Sequence, residues 1–282
     1  MKHIIALACA CATLVLVVPA QAATPKKAAM VSDPAMDAVL ASDIRKDDKA
    51  RDKYRHPKET LSFFQVKPNM VVVDYLPSSG WYTRVLGPYL NKQGRYIGIN
   101  PAVDVLPFPD EQKQRVAAIG DTFPPKAATW TGLPQASFTA YTSDKFPEDM
   151  KGKVDRVLIF REMHNFFNWN VADSELKRIR SMLKDGGMVG ITDHRANLNT
   201  PYSKADGDLG YLRERDVINV MDIAGFDLVG KSEINANPKD TKDYEGGVWT
   251  LPPSYAKKDV DRAKYEAIGE SDRMTLLFKK RP

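Results

Sequence analysis

The feature that most constrains the fold is a regular alternation of short β-branched runs with amphipathic segments. Met70 to Asp74, Arg95 to Asn100, Ala136 to Thr142, Val154 to Phe160 and Met188 to Thr192 each read as a buried strand. Helices are expected at Trp81 to Leu90, at Asp173 to Leu183 with a cap at Asp185-Gly186-Gly187, and at Leu212 to Ala224, stopped by Gly225. Phe226 to Val229 and Met274 to Phe278 supply two more strands. Repeated strand–helix–strand units make an α/β domain, a mostly parallel sheet with helices on both faces, because each crossover must pass over one face. Sites in such sheets sit in the loops beyond the strand C-terminal ends.

The chain ends carry separate signals. Lys2, the apolar run Ile4 to Val18 and the small-x-small Ala20-Gln21-Ala22 predict a cleavable signal peptide over residues 1–22 of the 282. The mature protein is then periplasmic or secreted. Residues 23–33 read as a flexible terminus and 34–282 as one domain, opening with a helical preface over 34–66. In that preface one charged helix is expected from Pro34 to about Tyr54, and a second starts at Pro57. No later stretch reaches the roughly 18 apolar residues of a membrane span. Cys9 and Cys11, the only cysteines, fall in the leader. That excludes disulfides, thiol nucleophiles and cysteine-ligated metals from the mature chain. A formal charge of +5 without a basic block argues against a nucleic-acid partner and leaves a small molecule.

Three strand ends carry the candidate chemistry. Asp74 to Trp81 joins a strand to a helix, where a cofactor loop belongs, and retains one glycine, Gly80. Asn100 ends the second strand, where an acid would usually grip ribose hydroxyls. Phe160-Arg161-Glu162-Met163-His164 and Thr192-Asp193-His194-Arg195 end the fourth and fifth strands. The chain has four histidines, and two of them face one crevice from these ends, where either could act as a general base. Asp193 would complete a ligand trio, but no helical His-x-x-x-His spacing supports a metal, and none is assigned. His56 reads as a loop or cap residue. The long polar segment 232–258 reads as a lid or binding loop, with Lys239 available to a charged substrate.

Five blocks occur in order: Val72-Val-Asp-Tyr-Leu-Pro-Ser-Ser-Gly-Trp-Tyr-Thr83, Phe160-Arg-Glu-Met-His-Asn165, Gly187-Met-Val-Gly-Ile-Thr-Asp-His-Arg-Ala196, Glu233-Ile-Asn-Ala-Asn-Pro-Lys-Asp-Thr-Lys-Asp-Tyr244 and Asp261-Arg-Ala-Lys-Tyr-Glu-Ala-Ile-Gly-Glu-Ser-Asp-Arg-Met274. Together they resemble a bacterial family of exported class I S-adenosylmethionine-dependent methyltransferases, over roughly residues 35–280. The resemblance implies a Rossmann-like fold of seven strands, six parallel and one antiparallel, with S-adenosylmethionine over the first two strand ends. It implies that Asp74, Ser78, Ser79, Gly80 and Trp81 hold the methionine part, Asn100 the ribose and Asp144 the adenine. Arg161 and His164 would border the sulfonium, with His194, Arg195 and Asn235 toward the substrate. Ser78 and Ser79 stand where the family usually has glycines, and each side chain narrows the backbone approach. Two alternatives stay open: a methyltransferase-like fold that binds another small ligand, and a different histidine-based enzyme. A serine hydrolase is excluded, since no Gly-x-Ser-x-Gly elbow occurs.

Overall fold

The computed structural model describes residues 32–282. The signal segment 1–22, its two cysteines and most of the expected flexible terminus lie outside the described residues. Asp33, at the edge of that terminus, caps the first helix, α1 (Pro34–Ala41), by accepting the Met36 N–H at 3.0 Å, and it also accepts the Tyr89 hydroxyl at 2.6 Å. The single helix expected over 34–54 is broken, because Ser42 adopts an extended ψ of 146°. Two 3₁₀ turns follow, then α2 (Asp52–Arg55). His56 takes a left-handed φ of 39°, and Pro57 opens α3 (Pro57–Phe63).

The α/β part runs β1 (Val71–Tyr75), α4 (Thr83–Leu90), β2 (Arg95–Asn100), α5 (Asp110–Ala117), α6 (Ile119–Thr131), β3 (Phe138–Thr142) and β4 (Val154–Phe160). It continues with α7 (Met163–Asn168), α8 (Ala172–Met182), β5 (Leu183–His194), α9 (Glu214–Ile223), β6 (Phe226–Ser232), α10 (Arg262–Ile268) and β7 (Arg273–Lys280). All seven strands form one sheet in the order β3-β2-β1-β4-β5-β7-β6. The first five pair in parallel, and β7 runs antiparallel between β5 and β6. Strand order reverses between β1 and β4, which opens a crevice beyond their C-terminal ends.

Side-chain alternation builds two cores. Val73, Ile97, Val157 and Ile159 pack with α8 and α9 on one face, while Val72, Tyr96, Leu158 and Phe160 pack with α1, α3, α4 and α6 on the other. Each fully buried aliphatic or aromatic side chain contributes about 1.5–3 kcal/mol. No helix among the described residues is long and apolar enough to cross a membrane.

Two elements differ from the sequence reading. Pro124 and Pro125 lie inside α6, and prolines at interior positions hide a helix from any pattern search. Helix α8 stops at Met182, because Leu183 is already extended (ψ 135°). The Asp185-Gly186-Gly187 cap is therefore a bulge in β5: Val154 pairs with Leu183, Arg156 with Met188, and residues 184–187 loop out between. Segment 232–258 packs down onto the domain, as its embedded Trp249, Leu251 and two prolines lead one to expect. Asp240 accepts the Tyr211 hydroxyl and the Asp272 N–H, and Thr250 and Leu251 are fully buried.

The preface docks through Phe64, which is fully buried against Gly190 of β5, and its carbonyl accepts the Arg156 Nε–H at 2.9 Å. A Cβ at Gly190 would lie 2.6 Å from the Phe64 ring. Gly190→Val is expected to destabilise the protein by about 1–3 kcal/mol or more through overpacking. Urea denaturation measures this; an unchanged midpoint would show that the preface is not seated on the sheet.

Candidate functional site

Three connected chambers occupy the crevice. One of about 180 Å³ lies between Ser78, Asn100, Phe123, Lys126 and Trp130. A narrow one of about 20 Å³ lies over Asp74, between the 76–79 loop and Phe160, and shares Ser78 with the first. The largest, about 310 Å³, is walled by His164, His194, Trp249 and Arg273 and shares Arg161 and Glu162 with the narrow one.

The loop after β1 turns by left-handed residues, with φ of 53° at Leu76, 49° at Ser78 and 75° at Gly80. Gly80 is required twice, by its φ and because a Cβ would sit 2.3 Å from the Trp130 ring. Ser78 Oγ donates to the Leu76 carbonyl at 3.2 Å and lies 3.4 Å from Glu162. Ser79 lines the narrow chamber, and its carbonyl accepts from Arg84 at 3.0 Å. Trp81 is buried with two guanidinium groups over it, Arg45 at 5.1 Å and Arg55 at 4.7 Å.

Two carboxylates face the narrow chamber, the buried Asp74 and the half-buried Glu162. Asp74 accepts the Tyr96 hydroxyl at 2.7 Å, and Tyr96 is held in turn by Thr83 at 3.0 Å. Burial pushes the Asp74 carboxyl up to about 7 against that hydrogen bond. Glu162, one residue past the Arg161 turn, accepts from Asn165 at 2.6 Å. Burial also raises it to about 7, against the pull of His164 and Arg161. No motif marks Glu162 in the sequence; the one available signal is an acid directly after a strand end. Neither carboxylate has a salt-bridge partner among the described residues. Arg161, at φ 60°, opens onto both chambers, and burial followed by Arg273 lowers its guanidinium from the ordinary value.

The two histidines meet, with ring centroids 5.6 Å apart. Asp193 lies beneath both. Its carboxylate accepts the backbone N–H of His164 at 3.0 Å and of His194 at 2.7 Å, and one oxygen is 3.1 Å from His164 Nδ1. Burial alone would depress His164, but Asp193 and then Glu162 hold its imidazole above the ordinary 6.5. His194 Nδ1 is 2.5 Å from Ser271 Oγ. Burial, reinforced by Arg273, His164, Arg161 and Arg55, pushes His194 well below the ordinary value. His194 is therefore neutral near pH 7, while His164 keeps its proton to higher pH than an ordinary imidazole. His164, Asp193 and His194 also bring three possible metal-ligand atoms within 4.8 Å. Both Asp193 oxygens are already taken by N–H donors, and the surrounding arginines oppose a further cation.

Other sequence-selected residues are placed differently. Asn100 lines the first chamber, with its Nδ2 donating to the Val116 carbonyl at 3.1 Å. Asn235 is buried, donating to Thr60 and Thr275 at 2.9 and 3.0 Å. Asp144 is exposed in the turn after β3 and lines none of these chambers. Arg195, expected toward the substrate, is consumed by Glu233 at 2.6 Å and Asp272 at 3.1 Å. Lys239 points along the surface to the Ala267 carbonyl at 3.3 Å. Arg55 and Arg273, which no pattern marked, are brought to the site by the preface and β7.

The raised carboxyls fix a pH dependence. Folded Asp74 and Glu162 keep their protons to about pH 7, and unfolded ones lose them near 4, so between these values the folded state binds more protons. Their contribution to stability is therefore lost as pH rises from about 4 through 7. The depressed His194 acts with the opposite sign, so the comparison must be made between variants. Asp74→Asn and Glu162→Gln are expected to gain melting temperature relative to wild type as pH rises from 5.5 to 8. An unchanged difference across that range would contradict the assignment.

No family model matches the chain, and no curated protein matches it in sequence. Solved structures match it in fold. The geranyl diphosphate C-methyltransferase of Streptomyces coelicolor A3(2), solved with Mg2+, geranyl diphosphate and S-adenosyl-L-homocysteine, is 12% identical over 86% of this chain and 87% of its own, at a TM-score of 0.53. A geranyl diphosphate methyltransferase in complex with SAM is 12% identical over 86% of this chain and 94% of its own, also at 0.53. The [4+2]-cyclase SpnF is 15% identical over 80% of each chain, at 0.51. With its β3-β2-β1-β4-β5-β7-β6 sheet, the chain has the Rossmann-like fold of the class I S-adenosylmethionine-dependent methyltransferases.

Proposed function

We propose that the protein transfers a methyl group from S-adenosylmethionine to an oxygen or nitrogen of a small-molecule acceptor. One observation carries this reading: two carboxylates without an ion-pair partner, the buried Asp74 and the half-buried Glu162, line the narrow chamber between two larger ones. A ligand with a cationic amino-acid head supplies the missing positive charge. In this arrangement Asp74 and Glu162 hold the ammonium, and the 76–80 loop with the N-terminal end of α4 receives the carboxylate. Asn100 takes a ribose hydroxyl in the first chamber, against Phe123 and Trp130.

The bound cofactor supplies an electrophilic methyl group. The protein's part is alignment and proton transfer. His164, oriented by Asp193 with its Nε2 directed away from that carboxylate, takes the proton that the acceptor gives up as it gains the methyl group. The neutral form of this imidazole accepts that proton, so turnover rises as pH increases through the His164 titration. His194, held neutral and tied to Ser271, positions the acceptor from the other side. Trp249 and the Pro252–Pro253 pair supply an apolar wall against which the acceptor packs.

Calorimetric titration with S-adenosylmethionine tests the cofactor assignment. Binding near pH 7 is expected to release protons as the ammonium draws them from Asp74 and Glu162, so the apparent enthalpy depends on the buffer. The double variant Asp74→Asn/Glu162→Gln loses that buffer dependence. No heat at millimolar ligand from a folded sample would reject methyl transfer and favour another small ligand.

The histidine roles are read by NMR titration of the imidazole C–H resonances. His164 is expected to titrate above 6.5 and to fall on Asp193→Asn substitution, while His194 stays neutral throughout the range where the protein is folded. A reversed order would exchange the two roles.

A further inference from the structure

Three guanidinium groups beside the large cavity, those of buried Arg55 and Arg273 and of half-buried Arg51, share one carboxylate. Glu270 accepts from Arg51 at 2.6 Å, from Arg55 at 3.2 Å and from Arg273. Arg55 and Arg273 are 2% and 3% exposed, yet both terminal nitrogens of Arg55 and the Nε of Arg273 have no partner. Arg161 faces the same space and makes no ion pair among the described residues. A recess just large enough for a water-sized group, about 10 Å³, lies among Arg55, Arg161, Arg273, Thr192 and Asn235. It joins the large cavity through Arg161 and Arg273.

Four cations against Glu270 leave a buried positive surplus. Glu162, next to Arg161 in the same cavity lining, adds one carboxylate and still leaves the cations in excess. Buried charge of this kind is tolerated when an opposite charge completes the site. One part of the cavity wall is apolar, formed by Val248, Trp249 and the two prolines, while Asn165 and Ser254 add neutral polar groups.

We propose that this cavity binds a small organic anion, with its carboxylate or phosphate on Arg161 and Arg273 and its apolar body against Trp249. Resting on the methyl-transfer reading, this anion is the class from which the acceptor is drawn: an acid whose hydroxyl or amine lies toward His164. The same negative charge offsets the positive field around His194, so acceptor binding and the setting of the histidine pair are coupled. Planar guanidinium groups favour such oxyanions by charge-assisted, two-pronged hydrogen bonding.

The test titrates benzoate and phenyl phosphate, with benzyl alcohol as the neutral control, into the protein in chloride-free buffer. S-adenosylhomocysteine is titrated into the same preparation. At least one anion is expected to bind and benzyl alcohol is not. Benzoate alone marks a carboxylate ligand, and phenyl phosphate alone a phosphate-bearing one. Arg161→Met should weaken the anion by about tenfold or more, the effect of losing one charge-assisted hydrogen bond. Arg161→Lys should recover part of the loss, and Trp249→Ala should weaken the aromatic anions independently. Since Arg161 pairs with no carboxylate, its substitutions should melt no lower than wild type, which separates lost binding from lost folding. Absence of anion binding, equal binding of benzyl alcohol, or affinity unmoved by both Arg161→Met and Trp249→Ala overturns the proposal. Anion binding without S-adenosylhomocysteine binding would reject the methyl-transfer reading alone; the converse would reject the anion site alone.

Discussion

Glu270 is the contact on which the site depends. This buried carboxylate receives Arg51 and Arg55 from the N-terminal preface and Arg273 from the last strand, so one side chain joins the two ends of the described chain beneath the crevice. The arginines outnumber it, and their field pushes its carboxyl down while pushing His194 down as well. The consequence is an asymmetric crevice. A chamber lined by carboxylates lies over Asp74 and Glu162, and a cavity lined by guanidinium groups lies beside Arg161 and Arg273. The two share Arg161 and Glu162 as their common wall.

That asymmetry also accounts for the histidines. Both rings sit at strand ends over one carboxylate, at nearly equal burial, yet they respond in opposite directions. Asp193 Oδ1 reaches His164 Nδ1, whereas His194 Nδ1 meets the neutral Ser271 hydroxyl and faces the arginines. Two identical side chains thereby acquire different protonation behaviour from second partners alone. This division of roles is what general acid–base chemistry requires.

Much of this was legible in the sequence, and the boundary has physical causes. Strands β2 and β4 match their expected limits residue for residue, because β-branched runs bounded by glycine or charge have no competing pattern. His164, His194, Asp74 and Gly80 were visible because strand ends in a parallel sheet converge. Local sequence could not reveal α6, whose two prolines break the helical pattern, or the break at Ser42, which shows only in the backbone angles. Arg195 and Lys239 carry a suitable charge, but tertiary partners claim Arg195, and Lys239 lies at the surface. Arg55 and Arg273 were invisible for the converse reason. They sit 218 positions apart and meet only through Glu270. The fold itself does not choose a reaction, since two methyltransferases and a [4+2]-cyclase share it with this chain.

The central claim is that the Asp74–Glu162 chamber holds the amino-acid head of a nucleoside cofactor while the His164–His194 cavity remains free for an acceptor. A crystal structure of the protein with S-adenosylhomocysteine tests it most directly. The account predicts the adenosine against Phe123 and Trp130 near Asn100, the ammonium on Asp74 and Glu162, and the 310 Å³ cavity beside Trp249 still open. Density for the ligand in the Trp249 cavity, or its ammonium away from both carboxylates, would contradict it.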